Sequence, residues 1–298
     1  MMQLQRLLFP TDGSACAERA RRYAMAVADR FDAELHVIHV DERDAELPDV
    51  IDIDEDDLLD QLHLPVDEPT PVAASRIRER RVVHRSAAGG ILSYAAEHDT
   101  ALTVMGTHGR RGVQRLLLGS VTEAVVRRAP DPVMTVGKEA GLPDDIAGGR
   151  LLVPVDFSEH QSRLLSHARE WARAYDLSLT LLHVVALDDQ PAPSPPRLSA
   201  PDPDALRTRT TEALEEAAAP LRDADLTVDV AVHSGHPADQ ILNAAADAAD
   251  LLAIATHGRT GLERVLMGSV AEAVIRQAPC PVFTVKSFGH SLVHEADA

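Results

Sequence analysis

Lysine is nearly absent from this sequence. Only Lys138 and Lys286 occur, and every other basic residue is arginine. Aromatic residues make up 3% of the chain, so its core has to be assembled from Leu, Val, Ile and Ala. No apolar run reaches the roughly 18 residues of a membrane span, and the first residues carry no secretory signal pattern. No membrane span is therefore expected. There are two cysteines, Cys16 and Cys280. They occupy non-equivalent points of the internal repeat described below, so no disulfide framework is expected and a reducing cytoplasm is the expected setting.

Positive charge is also short. Lys and Arg number 29 against 47 Asp and Glu, a formal net charge of −18. Such a surface repels nucleic acid as a bulk partner. It leaves room for a local basic pocket around one phosphate chain. A salt-rich cytosol and a GC-rich genome are both open explanations of the arginine and aspartate bias. Catalytic signatures are missing too. There is no P-loop lysine, no G-x-S-x-G elbow, no HxH or HExxH spacing and no two-metal carboxylate set. Phosphoryl transfer needs a positioned base or water, and no residue can be named for that role, so the chain is not expected to be an enzyme.

What is present is duplicated. At 298 residues the chain has the length of two domains. Gly106-Thr-His-Gly109 leads to Gly119-Ser120, and Ala255-Thr-His-Gly258 leads to Gly268-Ser269, about 149 residues further on. Leu7-Leu-Phe-Pro10-Thr-Asp12-Gly-Ser14 returns as Leu151-Leu-Val-Pro154-Val-Asp156-Phe-Ser158, and His39-Val40 as His183-Val184. The divisions read from this are a first domain over 1–140, a linker over 141–150, a second domain over 151–288 and a tail over 289–298, with fraying expected from Ser287 onward.

Within each copy, short apolar runs alternate with helical periodicity, which predicts an α/β fold built on a parallel sheet of about five strands. In the first copy the strands are Arg6–Pro10, Leu35–Val40, Arg81–Arg85, Ala101–Met105 and Val133–Val136. The acidic run Asp52–Asp57 reads as a solvated excursion. A cation site is the alternative, but the order and glycine of an EF-hand loop are lacking. The Pro-rich stretch Pro191–Pro203 reads as a loop.

The glycine-rich connection after Met105 joins a strand end to a helix start. In open parallel sheets ligands bind there, and unpaired helix-start amides attract anions. Gly119 permits close backbone approach, Ser120 and Thr122 offer hydroxyls, and Arg110, Arg111 and Arg115 offer charge. The alternative is a plain helix cap with a solvated arginine face. His108 and His257 read as loop hydrogen-bonding groups, and Cys16 as a small core residue.

The combination resembles the universal stress protein family. It consists of Gly106-x2-Gly109-x9-Gly119-Ser120, the strand ending Pro10-x-Asp12, the His39-Val40 strand end and Pro132-Val133. The resemblance spans nearly the whole chain as two tandem copies. It implies two open-twisted five-stranded sheets, each ordered 3-2-1-4-5 with helices on both faces. It further implies that the fifth strands meet about a pseudo-twofold axis, as an intramolecular pseudo-dimer, with a homo-oligomer as a further expectation. The implied ligand is ATP, AMP or another adenine nucleotide, with Mg2+ entering through the nucleotide's own oxygens. By position, Pro10, Asp12, Val40, Met105 and Gly106 would line the adenine and ribose side, and Gly109, Gly119, Ser120, Val121 and Thr122 would hold the phosphates. Pro154, Asp156, Val184, Gly258, Gly268 and Ser269 are the second-copy equivalents. Ala255 replaces Gly106 and Ala271 replaces Thr122, so copy one is expected to be the stronger site. The function implied is a stress-response regulator that binds rather than turns over nucleotide, with a nucleotide-free scaffold or a slow ATPase as alternatives.

Overall fold

The computed structural model describes residues 2, 4–43, 51–54, 72–109, 118–141, 143, 146–158, 161–186, 203–256 and 267–293. Copy one contains β1 (Arg6–Pro10), α1 (Ala15–Arg30), β2 (Glu34–Glu42), β3 (Ile51–Asp54), β4 (Ile77–His84), α2 (Ala87–Glu97), β5 (Leu102–Gly106), α3 (Ser120–Arg128) and β6 (Val133–Val136). Copy two contains β7 (Arg150–Pro154), α4 (Gln161–Tyr175), β8 (Ser178–Ala186), α5 (Pro203–Arg222), β9 (Val228–Gly235), α6 (Pro237–Ala248), β10 (Leu251–Ala255), α7 (Ser269–Gln277) and β11 (Val282–Val285).

The strands form one sheet, in the order β3-β4-β2-β1-β5-β6-β11-β10-β7-β8-β9. The two expected five-stranded parallel sheets are thus joined edge to edge into one. Within each copy the order 3-2-1-4-5 holds, but two antiparallel pairings are added. Val133 to Thr135 of β6 pair with Thr284 to Val282 of β11, so each strand satisfies the other's free edge. β3 pairs antiparallel with Arg80–Val83 of β4, which takes Asp52 to Asp54 out of the expected solvated excursion. The rest of that acidic run and residues 191–202 of the Pro-rich stretch lie outside the described residues. The third strand of copy one also starts four residues earlier than expected. Three of the four residues of its opening, Ile77-Arg-Glu-Arg80, are charged and hide the apolar signal.

Successive strand side chains point to opposite faces, and both faces are covered. Leu7, Phe9, Leu35 and Val37 enter one core with α1, α4 and α5. Leu8, Ile38 and Val82 enter the other with α2, α3, α6 and α7. Each such fully buried side chain contributes about 1.5–3 kcal/mol. The first core runs through both copies without interruption. Trp171 lies at its centre, with ring centroids 5.9 Å from Phe31, 5.5 Å from Tyr175 and 5.3 Å from Phe283. Four of the nine aromatic residues of this sequence thus meet where the copies join.

The expected fraying from Ser287 is corrected as far as residue 293. Leu292 and Val293 are buried, and the Leu292 amide donates to His167 Nε2 at 3.2 Å. The His290 amide donates to the Pro130 carbonyl at 3.1 Å, and His290 Nδ1 lies 2.8 Å from Asp131 Oδ1. Lys286 donates to the Ala129 carbonyl at the end of α3. The Lys286 and His290 contacts strap this end of copy two onto copy one, while Leu292 docks on α4 of copy two itself. No helix among the described residues is long and apolar enough to cross a membrane.

Candidate functional site

The loops at the carboxyl ends of β1, β2 and β5 meet in copy one. Asp12 follows β1 in an Asx turn, its Oδ1 accepting the Ser14 amide at 3.0 Å. Gly13 sits at φ 71°, in the left-handed region open to glycine. Ser14 then caps α1, accepting the Ala17 amide at 3.2 Å, and its hydroxyl reaches the His108 carbonyl at 3.4 Å. The Asp12 carboxylate backs directly onto Gly109, where a Cβ would lie 2.6 Å from Oδ2. Two residues about a hundred positions apart therefore share one wall.

The end of the loop is fixed by backbone. The Gly119 amide donates to the Thr107 carbonyl at 2.9 Å, and the Thr107 amide to Val136 at 3.1 Å. Gly119 is the N-cap of α3 and supplies no side-chain cap, so the helix starts without one. Such a start presents partial positive charge to whatever lies over it. Ser120 is exposed there, and Val121 is half-buried.

The remaining residues form the neighbouring wall. Pro10 and Met105 are buried at the strand ends. Val40 is partly buried against the second core, and Gly90 of α2 lies so near that a Cβ there would stand 2.7 Å from Val40 Cγ1. His39 Nδ1 lies 2.8 Å from the Thr11 carbonyl and ties the end of β2 to that of β1.

Two residues of this set also have structural roles. The Thr122 hydroxyl donates to the Gly106 carbonyl at 2.8 Å and the residue is 4% exposed. Its hydroxyl proton lies in that bond, which latches helix to strand. At Gly106 a Cβ would stand 2.9 Å from the Cys16 carbonyl carbon, so glycine here also serves close packing against α1. Sequence reading missed both, because each depends on what the loop faces. Cys16 is half-buried, in line with the expected small core residue. Burial pushes that thiol up despite the His108 amide beside it, so it stays protonated at neutral pH.

Copy two keeps the frame. Asp156 Oδ1 accepts the Ser158 amide at 3.0 Å, His183 Nδ1 lies 2.6 Å from the Val155 carbonyl, and the Gly268 amide donates to Thr256 at 2.9 Å. Pro154 ends β7, and Val184 packs on the second core as Val40 does. Ser269 is exposed at the start of α7. Ala271 cannot form the latch that Thr122 makes. Phe157 stands at φ 56° where copy one has Gly13, with its ring 4.7 Å from that of His183. A non-glycine residue there carries strain of about 1–3 kcal/mol. Gly258, His257, Arg110, Arg111 and Arg115 lie outside the described residues.

The sequence profile of the Universal stress protein family matches residues 3–137 and 149–286. This chain belongs to the universal stress protein family. A universal stress protein of Methanocaldococcus jannaschii is 32% identical over 141 residues, covering 46% of this chain and 81% of that one. One of Mycobacterium tuberculosis is 27% identical over 308 aligned positions, covering 92% and 93%. The crystal structure of a universal stress protein from Archaeoglobus fulgidus superposes with a TM-score of 0.64 at 22% identity, over 96% of this chain and 97% of that one. That likeness establishes the shared fold across both tandem universal stress domains.

Proposed function

We propose that copy one binds an adenine nucleotide, ATP or AMP, across the carboxyl ends of β1, β2 and β5, and that the chain acts as a stress-response regulator. The observation that carries this reading is the wall shared by Asp12 and Gly109, set beside a helix start that no side chain caps. A carboxylate accepts hydrogen bonds from an amino or hydroxyl group, and the α3 amides suit phosphate oxygens. Pro10, Val40 and Met105 supply an apolar flank. Gly106 belongs to this wall through its backbone. Gly119, Ser120 and Val121 make up the phosphate side, and Mg2+ would enter on the nucleotide's own oxygens.

The reading is binding rather than turnover. Asp12 already accepts the Ser14 amide and abuts Gly109, which leaves it poorly placed to move a proton for an attacking water. Copy two, built on Pro154, Asp156, Val184, Gly258, Gly268 and Ser269, is the weaker site. Residues 1–140 and 151–288 are then the two binding units, separated by 141–150. The β6–β11 pairing supports an intramolecular pseudo-dimer in the cytoplasm. Isothermal titration with ATP and AMP, together with a phosphate-release assay, tests this. Saturable binding that is weakened but still measurable in Asp12→Ala, with no turnover, is the expected result. Absence of binding would leave the scaffold alternative, and turnover abolished by Asp12→Ala would replace this reading with the ATPase.

A further inference from the structure

At the opposite pole of copy one, where β1, β2 and β4 begin and α2 ends, the surface opens into a cavity of about 420 Å3. Small-molecule sites occupy roughly 300–1,000 Å3. A chain of hydrogen bonds forms its floor. The Tyr94 hydroxyl lies 2.8 Å from His36 Nδ1, His36 Nε2 lies 3.3 Å from Glu34 Oε2, and Arg78 Nε donates to Glu34 Oε1 at 2.8 Å. Facing a carboxylate, Nε2 carries the proton, and Nδ1 accepts from the phenol. Burial pushes His36 below its ordinary range, so the ring is neutral at pH 7. Burial alone would raise Glu34, but its hydrogen bond from His36 and the Arg78 charge hold it below the usual carboxylate range. His98 stacks on Tyr94 with centroids 4.0 Å apart.

The duplication supplies an internal control. Strand register makes Ser178, Thr180, Asp229 and Ala231 the counterparts of Glu34, His36, Arg78 and Arg80. Helix α6, the counterpart of α2, contains no aromatic residue. Copy two thus builds the same pole of the same fold from small and ordinary groups. The buried histidine and tyrosine are not needed for folding there, and burying polar groups is costly. Buried polar groups that the fold does not require point to a ligand.

The two walls differ in sign. On the strand side Arg6 and Arg78 stand beside Glu34, and Arg80 lines the same wall. On the helix side stand Glu97, Asp99 and the last carbonyls of α2, the negative end of the helix dipole. Arg6 donates to one of these carbonyls, that of His98, at 2.8 Å, while its contacts with Asp99 and Glu34 are loose, at 3.8 and 3.9 Å. A simple anion or a simple cation satisfies only one wall. A metal ion is not indicated, since among the described residues no group of His, Cys, Asp and Glu is arranged to hold one.

We propose that this cavity binds a free α-amino acid, its carboxylate toward Arg6 and Arg78 and its ammonium toward Glu97 and Asp99. The site is separate from the nucleotide loops and does not depend on them. The test is isothermal titration of the full chain with glycine and a panel of larger amino acids, beside acetate and methylammonium as the two halves. At least one amino acid is expected to bind with a Kd below about 1 mM, tenfold or more tighter than either half. Arg78→Gln and Glu97→Gln, both at accessible side chains, should each weaken it at least tenfold while ATP affinity stays within twofold. No amino acid reaching that Kd, halves that bind equally well, or variants that bind as the parent does would each overturn the proposal. A chain that takes up an amino acid but no nucleotide would overturn only the nucleotide reading.

Discussion

Replacing Gly109 with alanine separates binding from folding. Gly109 is not among the glycines at positive φ, so the backbone tolerates alanine. The new methyl would nevertheless lie 2.6 Å from Asp12 Oδ2. Non-bonded carbons rest about 3.5–4.0 Å apart, so the carboxylate has to retreat by on the order of 1 Å. That movement pulls Oδ1 away from the Ser14 amide, now 3.0 Å distant. The bond lies in a half-exposed turn, so its loss costs about 1 kcal/mol, or roughly 2–4 °C of melting temperature. Nucleotide affinity should fall further, about 10- to 100-fold, which corresponds to roughly 1.4–2.8 kcal/mol. Titration with ATP beside thermal melts gives both numbers. The informative arm is the double variant. If the methyl acts through the carboxylate, Gly109→Ala adds nothing to Asp12→Ala, because the obstructing oxygen is gone. Additive losses, or parental affinity in Gly109→Ala alone, would refute the reasoning.

Three further outcomes are expected. Gly119→Val should lower ATP affinity far more than Gly268→Val, since a Cβ meets the Thr107 carbonyl at 3.0 Å but the Thr256 carbonyl at 3.4 Å; equal losses would contradict the ranking of the copies. Burial holds His167 down at about 4, against about 6.5 in the unfolded chain. The unfolded state then binds more protons between these values, so stability falls as pH drops from about 6.5 through 4, by on the order of 3 kcal/mol in full. His167→Gln should flatten that part of the melting profile, and an unchanged slope would count against it. Trp171→Ala removes the centre of the shared core and should cost about 3–5 kcal/mol. Urea melts followed by circular dichroism check this; a parent chain that already unfolds in two steps would show that the core does not couple the copies.

Much of the architecture was legible because duplication prints each signal twice. Strand ends at Pro10 and Pro154, and helix starts at Gly119 and Gly268, recur at fixed spacing, and their elements lie where the apolar runs predicted. The misses have physical causes. β3 is four residues long and rich in aspartate, and it depends on β4 rather than on its own propensity. The docking of Leu292 and Val293 depends on a histidine far away in sequence, so composition suggested only a tail. At the candidate site, residue types were readable but their directions were not. That Gly106 also faces a helix, and that Thr122 also holds a carbonyl, left no mark in the sequence. The polar pole around His36 passed unnoticed, because Glu34, His36, Arg78 and Tyr94 become neighbours only through sheet order.

The antiparallel seam between β6 and β11 has a kinetic corollary. Partners tethered on one polypeptide meet at an effective concentration in the millimolar range or above, so dilution does not separate them. Substitutions such as Ala271 and Phe157 therefore stay confined to one side of the seam, and the halves remain free to specialise.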